Sequence, residues 1–308
     1  MITVLGLGTF GSHLADVCTR NGAPVKHVID RDTVEAKNIS KSIYRRSHIG
    51  RHKVEAIAEH LEEISGASPR QICKFAQELD AEEWKAVLDQ TDILIECCDS
   101  KEGISEVVKR LREYHAASGR DIALVKAFAL DNAAGGVVTF WTPGSGLHCP
   151  ACLIQSVPYL NSCDERVGST DPDYCFDQIT GSPVRGILPD ILYGISFTAT
   201  LVQALVKSMN GEHSGRNNLL RTLAQHNMFL WSTFRDPYLD WQNVEVMGTV
   251  RPLDFATPSP CLACGRNADA EPIVTEPSGG QSTPRLLSMN DIGTDCLGDG
   301  EDDRYYGR

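Results

Sequence analysis

Apolar residues fall in short blocks whose spacing switches between a strand-like run and a helix-like period. Ile2 to Leu5 reads as a short buried strand, and Phe10 to Arg20 as a helix ended at Gly22, a left-handed cap. Val25 to Asp30 is a second strand. From Ile49 to Ile64, Val54, Ile57, Ala58, Leu61 and Ile64 recur at helical spacing, and the run stops at Gly66. Asp92 to Cys97 reads as a buried strand followed by a helix through about Ala117, and Leu124 to Leu130 and Gly136 to Trp141 as further strands. From Ile187 the pattern predicts a long, mostly buried helix. Asn217 to Phe234, with Leu219, Leu220, Leu223, Phe229, Leu230 and Trp231, predicts a second helical run used for packing and a dimer surface. Strands alternating with helices make this an α/β chain with a doubly wound, mixed, mostly parallel sheet, whose ligands bind beyond the carboxyl ends of the strands.

Composition narrows the class. The charge of −12 disfavours nucleic acid as a partner. The most apolar stretch, Gly186 to Leu205, is interrupted by Asp190 and several hydroxyl residues, so no membrane span is expected. The 11 cysteines are an odd number, and the start, MITVLGLGTFG, has no signal-type pattern, which points to a reducing, cytoplasmic setting. Cysteine then means metal ligand or nucleophile. From Gly265 onward nine acids face four arginines among many glycines and prolines, too little apolar surface to offset ordering entropy. We divide the chain into a catalytic domain over residues 1–265 and an acidic, flexible tail over 266–308.

The first turn carries chemistry. Gly6-Leu7-Gly8-Thr9-Phe10-Gly11 is an uninterrupted G-x-G-x-x-G between a strand and a helix, and Asp30 closes the next strand. Glycines let phosphate approach the backbone, the helix start offers free N–H groups, and the acid can bond a ribose hydroxyl, the Rossmann-like arrangement. A dehydrogenase needs no cations directly afterwards. Here Asp30 and Asp32 run into Asn38, Lys41, Arg45, Arg46, Arg51 and Lys53, which suits a nucleoside triphosphate better.

Two further features stand out. Cys149-x-x-Cys152 and Cys261-x-x-Cys264 supply four thiolates, enough to close a tetrahedral zinc site and leave no position for substrate, so that zinc is structural. The polar stretch between Cys152 and Gly186, about 153–186, is too long for a casual connector and reads as a functional loop holding Cys163 and Cys175. Cys175 lies nearer the following helix, whose amino terminus would favour a thiolate; Cys163 is the rival. Cys18, Cys73, Cys97 and Cys98 fall in predicted helix or strands and read as small core residues.

In order along the chain, Gly6, Gly8 and Gly11, then Asp30 and Asp32, Asn38, Gly50 and Lys53, and finally Cys97-Cys98-Asp99-Ser100 resemble the ThiF/MoeB family, the superfamily that includes ubiquitin-activating enzymes. The resemblance implies that Asp30 holds ribose, Asn38 and Lys53 contact ATP phosphates, and Asp99 binds Mg2+. It also implies that the two Cys pairs bind zinc and that the long loop is a crossover loop carrying, in many members, the acyl-accepting thiol. Lys41 stands where the family usually has arginine; Arg45 or Arg46 could substitute. The family's helices before the first strand, which often send an arginine to a neighbouring subunit, are not found ahead of Ile2. The implied activity is ATP-dependent adenylation of the C-terminal carboxylate of a ubiquitin-like protein, then transfer to an enzyme cysteine as a thioester, with a conjugating enzyme and a homodimer as further partners. The alternatives are a sulfur-carrier, peptide or small-carboxylate adenylyltransferase without a thioester step, one acting on a tRNA-linked carboxylate, which the acidity disfavours, and a non-catalytic partner subunit.

Overall fold

The computed structural model describes residues 1–98, 100–129, 135–145, 147–152, 175–176, 183–184, 188–210, 227–232, 249–252, 261 and 263–264. Its elements in chain order are β1 (Ile2–Leu5), α1 (Thr9–Arg20), β2 (Val25–Ile29), α2 (Lys53–Ser65), β3 (Arg70–Ile72), α3 (Ala81–Leu88), β4 (Ile93–Glu96), α4 (Lys101–Ser118), β5 (Ala123–Ala129), β6 (Gly135–Trp141), β7 (Cys175–Phe176), β8 (Pro183–Val184), α5 (Leu188–Met209), β9 (Met228–Ser232) and β10 (Thr249–Pro252). Eight strands form one sheet in the order β10-β9-β6-β5-β4-β1-β2-β3, and β7 pairs with β8 apart from it. The block β3-β2-β1-β4-β5 is parallel, and β6, β9 and β10 extend it antiparallel. The chain winds outward from β1 through β2 to β3 on one side and through β4 to β5 on the other. The boundary between β1 and β4 is therefore a topological switch point, where a crevice opens at the strands' carboxyl ends.

Alternation along the strands splits the core into two layers. On one face Ile2 and Val4 pack with Leu14 and Cys18 of α1, Val54, Ile57 and Leu61 of α2, and Ile195, Leu201 and Val202 of α5. On the other, Leu5, Ile29 and Leu94 meet Trp84 and Val87 of α3 and Val107 and Leu111 of α4. Truncating a fully buried leucine such as Leu14 to alanine costs about 2–5 kcal/mol. Helix α2 closes at Gly66, which takes φ +72° as a left-handed cap.

The structure departs from the sequence pattern at several points. The described part of the expected Asn217–Phe234 helix, Met228–Ser232, is the strand β9, with Phe229 and Trp231 fully buried between β6 and β10. A continuous apolar run has no period to separate a buried strand from a buried helix, and pairing partners decided it. Strands β3 and β10 and helix α3 were not predicted. Helix α3 nevertheless has a legible start, because Asp80 accepts from the N–H groups of Glu82 and Glu83 while Glu83 accepts from the Asp80 N–H. Helix α5 is long and apolar enough over Ile191–Met209 to cross a membrane, yet more than half of that stretch is buried, packed on α1, β5 and β6. Cys18 is a core residue as expected, but Cys73 is exposed just past β3, and Cys97 and Cys98 are partly exposed at the end of β4. A cysteine's burial depends on whether its strand ends under a helix or at a crevice, which spacing does not encode.

Candidate functional site

At the carboxyl ends of β1, β2 and β4 lies a cleft of about 380 Å³, walled by Gly6, Gly8, Asp30, Asp32, Lys53, Cys97, Cys98 and Ser100 and by the segment from Lys74 to Glu78. The three glycines of the first turn do different work. Gly6 adopts φ +84°, and a Cβ there would lie 2.8 Å from Cys98 Sγ and 2.9 Å from the Cys97 carbonyl carbon. A Cβ on Gly11 would lie 1.7 Å from the Gly6 carbonyl oxygen, so α1 can leave the loop at this angle only if residue 11 is glycine. Gly8 has open space around its would-be Cβ and is the amino-terminal cap of α1, without a side-chain cap bond. The helix start, with Gly8 on the cleft wall, carries no capping side chain on its first N–H groups, the usual provision for an anion.

The carboxylate pair at the end of β2 divides its labour. Asp30 is buried; its Oδ2 accepts from the Leu7 N–H at 2.6 Å and its Oδ1 from the Asp32 N–H at 2.8 Å. Asp30 thereby braces the glycine loop against β2. Burial pushes its carboxyl up, while the Lys53 charge and the two N–H bonds pull the other way. Asp32 is half exposed, and its Oδ2 takes the Lys53 Nζ at 2.7 Å, with Lys53 also 3.8 Å from Asp30 Oδ2. Lys53 is itself buried at the first position of α2, so its ammonium has carboxylates on one side and the cleft on the other. Tyr44 is buried beneath, donating from its hydroxyl to the Leu7 carbonyl at 2.7 Å, and burial, then Asp30 and Asp32, push its phenol up.

The far rim was not legible in the sequence. Phe75 is exposed on the cleft wall with the Arg31 guanidinium 5.1 Å from its ring centre, and Arg31 also pairs with Glu78 at 2.7 Å. Gln77 donates to Ser100 Oγ at 3.3 Å, joining this rim to the start of α4. Strand β3 is three residues long and shows no alternation, so nothing in the local pattern pointed to the wall that follows it. Cys73, beside this rim, lies 3.1 Å from His52 Nδ1.

Outside the cleft lining the two distant Cys pairs converge. Cys149, Cys152, Cys261 and Cys264 place their sulfurs within 4.8 Å of one another. Sγ separations are 3.5 Å for Cys149–Cys152, 3.8 Å for Cys149–Cys261 and 3.4 Å for Cys152–Cys264. Tetrahedral zinc with ligand bonds near 2.3 Å requires sulfurs about 3.8 Å apart, so the four thiols fit such an ion with small adjustment. The cluster packs into the layer of Trp141 and Ile122, which also holds Leu5, Ile29 and Ala76 of the cleft wall, and none of its four cysteines lines the cleft.

Comparison with known proteins sets this geometry in a family. The ThiF family model matches residues 1–244. The chain belongs to the ThiF family. An uncharacterised protein of Sinorhizobium fredii, y4qC, is 27% identical over 194 residues, covering 56% of this chain and 32% of that protein. The ATP-dependent ubiquitin transferase-like protein Cap2 of Enterobacter hormaechei is 32% identical over 98 residues, covering 31% of this chain and 16% of Cap2. The chain thus spans about a third and about a sixth of these relatives' lengths. Among solved structures, E. coli MccB crystallised with AMPCPP and MccA superposes with a TM-score of 0.55 at 15% identity, covering 86% of this chain and 66% of MccB. That likeness is one of fold.

Of the residues matched to ThiF motifs, Gly6, Gly8, Asp30, Asp32 and Lys53 meet at the cleft, and Gly11 packs directly behind it. Asn38, Lys41 and Arg45 are not among the residues that line it. Asn38 Oδ1 accepts from the Glu35 N–H at 2.8 Å, within a short turn, and the Lys41 carbonyl is 3.1 Å from His13 Nε2. Arg45 and Arg46 are exposed. Asp99 and Cys163 lie outside the described residues, and Cys175 is described only as part of the backbone of β7, where it pairs with Val184.

Proposed function

We propose that this chain is an ATP-dependent adenylyltransferase that activates the C-terminal carboxylate of a ubiquitin-like protein. The observation that carries this reading is the cleft itself. An uncapped helix start at Gly8, a buried lysine and an exposed aspartate converge at the switch point of a ThiF-family sheet. The helix start and Lys53 would take phosphates, Asp30 and Asp32 ribose, and the rim at Phe75 the base. Asn38 and Lys41, with Arg45 or Arg46 in place of the family's arginine, would have to move toward the cleft to reach the phosphates. Magnesium, held through Asp99, would neutralise phosphate charge. The partial likeness to Cap2, an ATP-dependent ubiquitin transferase-like protein, supports a ubiquitin-like protein as the substrate, and we add a conjugating enzyme as the downstream partner.

A carboxylate is a poor electrophile. Its oxygen attacks the α-phosphorus, the bond to the bridging oxygen breaks, pyrophosphate departs, and an acyl-adenylate remains. Lys53 and the helix start stabilise the charge that builds on the phosphates, and most of the rate comes from this and from positioning. A thiolate then attacks the acyl carbon, AMP leaves, and a thioester forms on Cys175 or, as the rival, Cys163. The four-cysteine cluster would hold zinc in a structural role, tying the region after β6 to Cys261 and Cys264. We place the enzyme in the cytoplasm as a homodimer.

ATP–pyrophosphate exchange tests the reading. Exchange that depends on a ubiquitin-like C-terminus supports it. Exchange with only a short peptide or small carboxylate moves the chain to the carrier or peptide class, and none with any carboxylate makes it a non-catalytic subunit.

A further inference from the structure

Behind the cleft wall at Cys98 lies an ion pair that the proposed chemistry does not use. Glu96 ends β4 and Lys126 lies directly opposite it in the parallel ladder with β5. Both are buried, Glu96 at 0% and Lys126 at 3% exposure, and Lys126 Nζ stands 2.6 Å from Glu96 Oε2. Neither lines the cleft. Both also grip one residue of the wall: Glu96 Oε1 accepts from the Cys98 N–H at 2.9 Å, and Lys126 Nζ donates to the Cys98 carbonyl at 2.7 Å. The Lys126 ammonium further lies 5.3 Å from the Phe128 ring centre.

A buried ion pair is no cheap source of stability, because desolvating two charges offsets most of their attraction; a well-packed apolar pair in its place is often as stable. What the pair does here is fix one residue by both its N–H and its carbonyl. Cys98 is the residue against which Gly6 packs, so any shift of Cys98 passes to the glycine loop. We propose that Glu96 and Lys126 are positioning residues, a charge clamp that sets the cleft wall at Cys97 and Cys98 against the glycine loop and so fixes its affinity for nucleotide. This rests on the reading of the cleft as an ATP site.

The test separates affinity from stability, using the full chain and ATP as probe. Glu96→Gln keeps an acceptor for the Cys98 N–H and leaves Lys126 on the Cys98 carbonyl, but strands a buried charge. It should lower the melting temperature while ATP affinity stays within about threefold of wild type. The double change Glu96→Gln with Lys126→Met removes the charge and the bond to the carbonyl. It should melt at or above the single variant yet bind ATP about tenfold or more weakly, with the KM for ATP rising more than kcat falls. Affinity that tracks melting temperature across the set, or a double variant that binds as wild type does, overturns the clamp. If the double variant does not fold, Glu96→Gln decides alone, since affinity lost in step with stability in that variant also overturns the clamp. Wild-type protein that binds no ATP overturns the nucleotide site first, and the clamp with it.

Discussion

Lys53 and Asp32, 21 residues apart in sequence, form an ion pair of 2.7 Å at the mouth of the cleft. The lysine is buried and the aspartate half exposed, so the cation is held in place by a partner that a phosphate could outcompete. Lys53→Met should cut ATP–pyrophosphate exchange by about 100-fold or more, with a melting temperature close to wild type. Asp99→Ala should abolish exchange in the same assay. Exchange that survives the Asp99 change assigns magnesium elsewhere.

Two of the loop glycines should separate in their effects. Gly11→Ala would drive a Cβ to within 1.7 Å of the Gly6 carbonyl oxygen and should leave little soluble, folded protein. Gly8→Ala meets nothing within 4 Å, so the fold should hold while ATP binding weakens. Circular dichroism melts beside calorimetric ATP titration would expose a reversed order.

The four thiols within 4.8 Å predict about one zinc per chain in protein purified without chelator. Cys149→Ser should lose the metal and lower the melting temperature while leaving ATP affinity nearly intact, because none of the four cysteines lines the cleft. Metal analysis that finds no zinc in the wild type refutes the site.

The acyl-accepting thiol is decided by trapping. Incubation with ATP and a ubiquitin-like substrate should give a reductant-sensitive conjugate in wild type and in Cys163→Ser, but not in Cys175→Ser. The opposite pattern moves the role to Cys163, and a conjugate in neither single variant nor wild type ends the reaction at the adenylate.

Stability should fall in acid through His27. Its ring is buried beside Thr3, with Nδ1 3.2 Å from the Thr3 hydroxyl, and burial pushes its pKa down to about 4. Unfolded histidine titrates near 6.5, so between these values the unfolded chain binds the extra proton and stability drops as pH falls. Melting temperatures should decline from pH 7 toward pH 4.5, and His27→Gln should flatten that slope; an equal slope in the variant assigns it to other groups.

The sequence by itself determined the local chemistry. A G-x-G-x-x-G between strand and helix admits few backbone paths, because Gly6 needs positive φ and Gly11 a missing Cβ, and both demands are written in residue type. The strand and helix order through α4 (apart from β3 and α3), the Cys pairs and the acid at the end of β2 were legible for the same reason: each is a short-range pattern. Only the tertiary structure decided how distant segments meet. It brought Cys149 and Cys152 to Cys261 and Cys264, made Met228–Ser232 a strand by giving it β6 and β10 as neighbours, and set Phe75 on the cleft rim. It also gave the two aspartates different roles, a buried brace in Asp30 and an exposed partner for Lys53 in Asp32, and placed Glu96 opposite Lys126. Burial, strand pairing and the choice of ionic partner belong to the packed sheet as a whole, and no window of residues along the chain contains them.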